Sequence, residues 1–225
     1  MSERSISTRH LDIVCVAFDF DGTLVDSNAI KRDAFFEVLR GFPDALKLLD
    51  DLLKADPAQT RQTIFSKIAH HLHPHPPEKA AQWAAQYIDK YGEMTETMVA
   101  ASPEIPGAVA EMDRLSGLGY KLALVSATPT QALNAILERR GWANKFCAVY
   151  GAPSTKAQNL HTLSKSLDIS ARQIVMVGDR DNDFKGAAEF GCRFIGLIRP
   201  DSDFKATPHY AVNHLAELNA TIQSF

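Results

Sequence analysis

Two carboxylates one residue apart, Asp19 and Asp21, follow directly on an apolar run, Val14-Cys15-Val16-Ala17-Phe18. The run and its β-branched members read as a strand buried on both faces. A strand has a period of two, so the two aspartates point the same way. Side by side at a strand end they repel each other and resist burial. A cation held between them relieves this, and Mg²⁺ takes carboxylate oxygens together with substrate phosphate. One carboxylate can then act as a covalent nucleophile. The other, its pKa pushed apart, can act as general acid and base. Gly22 permits a sharp turn immediately afterwards. A turn with two solvated aspartates is the plain alternative for a bare Asp-x-Asp. The buried strand before the pair and the Gly-Thr after it argue against that alternative.

The elements that must position this chemistry fall into two kinds. Asn28 to Ala101 reads as helix after helix, with no strand. Ala34, Phe35, Val38 and Leu39 recur at helical spacing, and Leu46, Leu49, Leu52 and Leu53 mark a second helix. Asp56-Pro57-Ala58-Gln59 reads as a helix start, with Ile64, Ile68 and Leu72 as that helix's stripe. A fourth helix begins near Glu78, and its Trp83, Tyr87 and Tyr91 read as core, or as a contact between two copies if exposed. Ser102 to Gly107 is a return linker. Beyond it, strands alternate with helices: Leu122–Val125, Ala148–Tyr150, Ile174–Val177 and Phe194–Ile198 are the expected strands. That order predicts an α/β fold, a Rossmann-like parallel sheet with right-handed crossovers. Ligands gather at the carboxyl ends of such strands.

Those ends carry Ser126-Ala127-Thr128-Pro129, then Lys156 after a short loop, then Gly178-Asp179-Arg180-Asp181-Asn182-Asp183, and finally Arg199. Hydroxyls, a cation and carboxylates on one face suit a phosphoryl group and a metal. Taken singly each has a plainer reading. Ser126 could cap a helix, Lys156 could be solvated, and the aspartates could favour a helix N-terminus.

The run Asp19-Phe20-Asp21-Gly22-Thr23-Leu24-Val25-Asp26-Ser27 resembles the first motif of the haloacid dehalogenase superfamily, in its phosphatase branch. Ser126 resembles the second motif, Lys156 the third, and Gly178-Asp179 with Asp183 the fourth, all in family order. Ala127 and Ala157 depart from the residues that often follow the second and third motifs. The resemblance implies a Mg²⁺-dependent phosphatase, similar to phosphoglycolate phosphatases, that hydrolyses a small phosphate monoester through an aspartyl-phosphate. It implies Asp19 as nucleophile and Asp21 as acid and base. Ser126, the Ala127 backbone N–H and Lys156 would bind phosphate. Asp19, the Asp21 carbonyl and Asp179 would hold Mg²⁺. Asp183 would be a further ligand, or would orient Lys156 or a water on the metal. It also implies a core of residues 1–27 and 102–225, with a helical cap at 28–101. Asp21 argues against dehalogenase chemistry.

A sugar-phosphate mutase of the same superfamily would use the same residues. A catalytically silent member of the fold is a third reading. A metal-binding module based on His70-His71-Leu72-His73-Pro74-His75 is a fourth. Asn28, Lys31 and Arg32 could meet a substrate anion or simply be solvated residues of a first helical turn.

Composition narrows the classes further. The chain has 225 residues, 45% hydrophobic and 23% charged, as in an ordinary globular protein. A net charge of -3 gives no basic footprint for nucleic acid. Cys15, Cys147 and Cys192 show neither zinc nor disulfide spacing and read as buried, reduced thiols. The polar first residues, MSERSISTRH, lack the apolar core of a signal peptide and read as frayed. No run approaches the ~20 apolar residues of a membrane span. The expected partner is thus a small phosphorylated metabolite in the cytoplasm, with no membrane. Monomer and homodimer are both compatible with the sequence.

Overall fold

A computed structural model describes residues 13–55 and 59–225. The expected frayed start and the Asp56–Ala58 part of the expected helix start lie outside the described residues.

The apolar run forms β1 (Cys15–Phe18), buried along its whole length. It pairs in parallel with β2 (Lys121–Pro129) on one side and β4 (Ile174–Gly178) on the other. Beyond β2 lies β3 (Ala148–Ala152); beyond β4 lie β5 (Arg193–Leu197) and β6 (Ala211–Val212). The order β3-β2-β1-β4-β5-β6 is parallel throughout. Phe18 stands level with Leu124 and Val177, so β1, β2 and β4 reach the same edge together.

The chain divides into two compact units. One contains the sheet and is built from the chain up to Leu24, Glu104–Pro129 and Asn144–Phe225. Its helices are α5 (Ala108–Gly117), α7 (Lys156–Leu167), α8 (Asp181–Phe190) and α9 (Leu218–Gln223). Cys15 and Ala17 of β1, Leu160 and Leu163 of α7 and Ala187 of α8 share one apolar cluster, so α7 and α8 cover one face. Gly186 allows this closeness: a Cβ there would lie 2.7 Å from Lys156 Cβ. Cys147 is exposed, contrary to the expectation of a buried thiol, because it precedes β3 instead of lying inside it.

The other unit comprises Val25–Pro103 and Thr130–Ala143. It contains α1 (Asn28–Val38), α2 (Pro43–Ala55), α3 (Arg61–Leu72), α4 (Pro77–Ala100) and α6 (Thr130–Arg139). The N-cap of α3 is Thr60, whose side chain accepts from Thr63 N. Phe35 stacks on Tyr91 with centroids 4.3 Å apart, and both pack against Phe65. Trp83 and Tyr87, half-buried, stack at 4.1 Å with Phe42 edge-on to both and pack against the core that holds Tyr91. Arg140 ties the end of α4 by donating to the carbonyls of Val99, Ala100 and Ser102. Among the described residues, no helix is long and apolar enough to cross a membrane.

Candidate active site

Asp19 is the first residue past β1, and its N–H donates to Val177 O at 2.8 Å. Asp179 is the first past β4, and Asp183 lies in the first turn of α8. All three are buried, and their carboxylate oxygens lie within 4.8 Å of one another. Burial and mutual repulsion set the electrostatics. Burial first, and the charge of Asp19 next, push Asp183 well above the usual carboxylate range. The ammonium of Lys156, at the first position of α7, offsets part of this charge. It is 3.0 Å from Asp19 Oδ1, outside hydrogen-bond alignment, and donates to Asp183 Oδ1. Burial pulls the Lys156 pKa down, but Asp183 and Asp19 outweigh it and hold the group charged.

The backbone is cut to fit these side chains. Gly22 sits at φ 77°, in the left-handed region, where a Cβ would be strained. Gly178 leaves the space that Asp183 fills: a Cβ there would lie 2.3 Å from Asp183 Cγ. Asp183 Oδ2 in turn accepts from Arg180 N at 3.0 Å, closing the start of α8. Thr155 and Gln158 form a capping box that fixes the turn presenting Lys156.

Asp21 is half-buried and accepts from Thr128 Oγ1 at 2.8 Å. Ser126 Oγ is buried and accepts from Thr128 N at 3.1 Å. Ala127 between them is exposed. The strand was expected to end at Val125; it runs on to Pro129 because β3 pairs with it again at Ala152 after a register shift. That extension is what aims Thr128 at Asp21. Thr128 was missed by the motif reading, although the strand period puts it on the face of Ser126. Thr23, quoted only as part of the first motif, donates to Asp179 Oδ1 at 3.0 Å.

The structure thus gathers Asp19, Asp179, Asp183 and Lys156, and links Ser126 through Thr128 to Asp21. Arg199 pairs with Asp201 at 3.5 Å. In the helical unit, Asn28 and Lys31 are half-buried and Arg32 is exposed. Three carboxylates of hard oxygen, over-negative for the nearby ammonium, fit a small divalent cation. His70, His71 and His75 are exposed, and His73 stands against the Trp83 ring at 6.2 Å. Among the described residues, only the three aspartates are grouped as a metal site requires.

A family model for haloacid dehalogenase-like hydrolases matches residues 13–191, which include the ends of β1 to β4 and Asp19, Asp21, Ser126, Lys156, Asp179 and Asp183. The chain belongs to the haloacid dehalogenase-like hydrolase family. Its relatives in the family include a phosphoglycolate phosphatase from Vibrio cholerae, 31% identical over 82% of this chain and 84% of that protein. A phosphoglycolate phosphatase from Vibrio parahaemolyticus is 27% identical over 95% and 91%. The fold is shared with CbbY from Rhodobacter sphaeroides, solved in complex with phosphate, at a TM-score of 0.71 and 19% identity over 94% of this chain and 99% of that one. It is shared too with YfnB from Bacillus subtilis, solved bound to magnesium, at 0.70 and 17% over 94% and 99%.

Proposed function

We propose that this hydrolase is a Mg²⁺-dependent phosphatase for a small carboxylated phosphate monoester of the phosphoglycolate type, with the helical unit acting as its cap. One observation carries the chemistry: Asp19, Asp179 and Asp183 lie buried within 4.8 Å of one another beside Lys156. Asp19, the backbone carbonyl of Asp21 and Asp179 would hold Mg²⁺, whose charge neutralises the phosphoryl oxygens. The magnesium in YfnB supports that choice, and the names of the Vibrio relatives support the substrate.

In the first step a carboxylate oxygen of Asp19 attacks phosphorus, and the bond to the ester oxygen breaks. Asp21, protonated, gives its proton to that oxygen. Thr128 holds the Asp21 side chain in one rotamer throughout. In the second step water attacks the phosphorus of the aspartyl-phosphate, and Asp21 takes the proton. Inorganic phosphate leaves and the Asp19 carboxylate is restored. Ser126, the Ala127 N–H and Lys156 bind phosphoryl oxygens. Lys156 stays charged between Asp19 and Asp183, and Asp183 sets its position.

The test is hydrolysis of a panel of phosphate monoesters with Mg²⁺ and with EDTA. The expected kcat/KM for 2-phosphoglycolate is at least about tenfold that for p-nitrophenyl phosphate, since a site built for a polar group rejects an analogue lacking it. EDTA abolishes both. Preference for another ester would keep the phosphatase and discard the substrate. No turnover of any ester would overturn the reading.

A further inference from the structure

Arg180, between the catalytic strand β4 and α8, faces three carboxylates at once. Its Nε is 3.3 Å from Asp179 Oδ2, its Nη2 3.1 Å from Asp201 Oδ2 and its Nη1 3.8 Å from Asp203 Oδ2. Asp201 and Asp203 belong to the segment after β5, which is firmly built. Ser202 Oγ donates to Leu197 O and accepts from Arg199 N. Asp203 Oδ1 accepts from Asp181 N at 2.8 Å, and Lys205 N donates to Asp181 Oδ1. The Phe204 ring packs edge-on to Phe194. The segment therefore presents two aspartates to the two terminal nitrogens of the guanidinium, while Nε faces Asp179.

A cation beside a metal-binding carboxylate competes with the metal for it. The Asp179 carboxylate, which also accepts from Thr23 Oγ1, is therefore a group for which Arg180 and a metal contend. We propose that Asp201 and Asp203 are positioning residues that hold part of the Arg180 guanidinium, dividing its charge among three carboxylates and weakening its competition with Mg²⁺ for Asp179. This rests on the reading of Asp179 as a Mg²⁺ ligand. Without the two aspartates, the guanidinium would turn wholly onto Asp179 and act as a resident rival of the metal. Neither aspartate belongs to the family motifs named above.

The experiment is calorimetric titration of Mg²⁺ into the full chain, with the Mg²⁺-induced shift in Tm as a second readout. Four proteins are compared: wild type, Asp201→Asn/Asp203→Asn, Arg180→Gln, and the triple variant. Tm in chelator confirms that each is folded. The double variant should bind Mg²⁺ about two- to fivefold more weakly, the range expected for partly exposed ion pairs. Adding Arg180→Gln to it should recover that loss, so that the arginine matters more without the aspartates than with them. Equal effects of Arg180→Gln in both backgrounds would overturn the proposal, because the aspartates would then act only through their distant charge. Unchanged Mg²⁺ affinity in the double variant would also overturn it. Absence of Mg²⁺ binding by the wild type would instead overturn the metal reading of the site, and this inference with it.

Discussion

Around the ends of β1 and β4, three carboxylates and an ammonium are buried together. At the centre of the helical unit, the buried groups are the rings of Phe35, Phe65 and Tyr91 and aliphatic side chains such as Leu39, Leu49 and Ile68. In the first region burial, and the charge of Asp19 after it, hold the pKa of Asp183 well above the usual carboxylate range. Gly178 and the start of α8 confine Asp183, and the Lys156 ammonium offsets part of the charge. The second is held by apolar burial and ring contacts, with the Tyr91 hydroxyl satisfied by Lys31 O at 3.1 Å. Precise geometry is needed where charge must meet a phosphoryl group. A packed aromatic centre needs only matching volume and shape, and tolerates more sequences.

The comparison can be broken most readily at Lys156. Lys156→Met keeps the length of the side chain and leaves the carboxylates without their ammonium. Stability in chelator should fall by about 3–5 kcal/mol, the scale for orphaning one side of a buried pair. Added Mg²⁺ should recover part of that loss, measured by thermal unfolding. An unchanged Tm would mean that the cluster is not under electrostatic strain.

Two glycines sharpen the contrast at smaller magnitude. Gly178→Ala places a methyl against Asp183 Cγ in a region that cannot yield, and should cost about 1–3 kcal/mol together with most of the activity. Gly92→Ala in α4 meets only the end of the Arg61 side chain, at 3.2 Å, which can swing aside. It should change stability by less than about 1 kcal/mol, because the helix propensity of alanine offsets the contact. Chemical denaturation of both variants decides the matter; equal losses would contradict the contrast.

Two threonines give the smallest pair. Thr128→Val should lower kcat about tenfold with little change in Tm, since it frees the Asp21 side chain. Thr95→Val in α4 removes the hydroxyl that donates to Tyr91 O and Gly92 O, and should cost about 1 kcal/mol of stability with kcat unchanged. A kcat loss at Thr95 as large as that at Thr128 would erase the distinction.

The two regions also differed in how far they could be read from residues. The sheet region announces itself in sequence because its chemistry demands particular residue types at strand ends. Asp19, Lys156, Asp179 and Asp183 were all located that way, and the structure brings them together. Thr128 escaped because the end of β2 depends on its renewed pairing with β3 across a register shift, which no local pattern records. β6 escaped for a similar reason. It is two residues long and exists through partners on β5, such as the bond from Ile198 N to Val212 O. The contacts of Arg180 were illegible because its partners, Asp201 and Asp203, come from the loop after the next strand. In the helical unit, periodicity gave the helices and the core role of Tyr91, with Trp83 and Tyr87 half-buried against that core. It gave no chemistry, because packing residues carry no marker of a ligand.

The central claim is that Asp19 is the nucleophile of a Mg²⁺-dependent phosphatase. The most direct measurement is steady-state hydrolysis of p-nitrophenyl phosphate by the wild type and Asp19→Asn, in Mg²⁺ and in EDTA. The account predicts turnover by the wild type in Mg²⁺ only, and a fall of at least about a thousandfold in kcat for Asp19→Asn, the scale for removing a covalent nucleophile. Turnover surviving in a folded Asp19→Asn protein, or undiminished in EDTA, would contradict it.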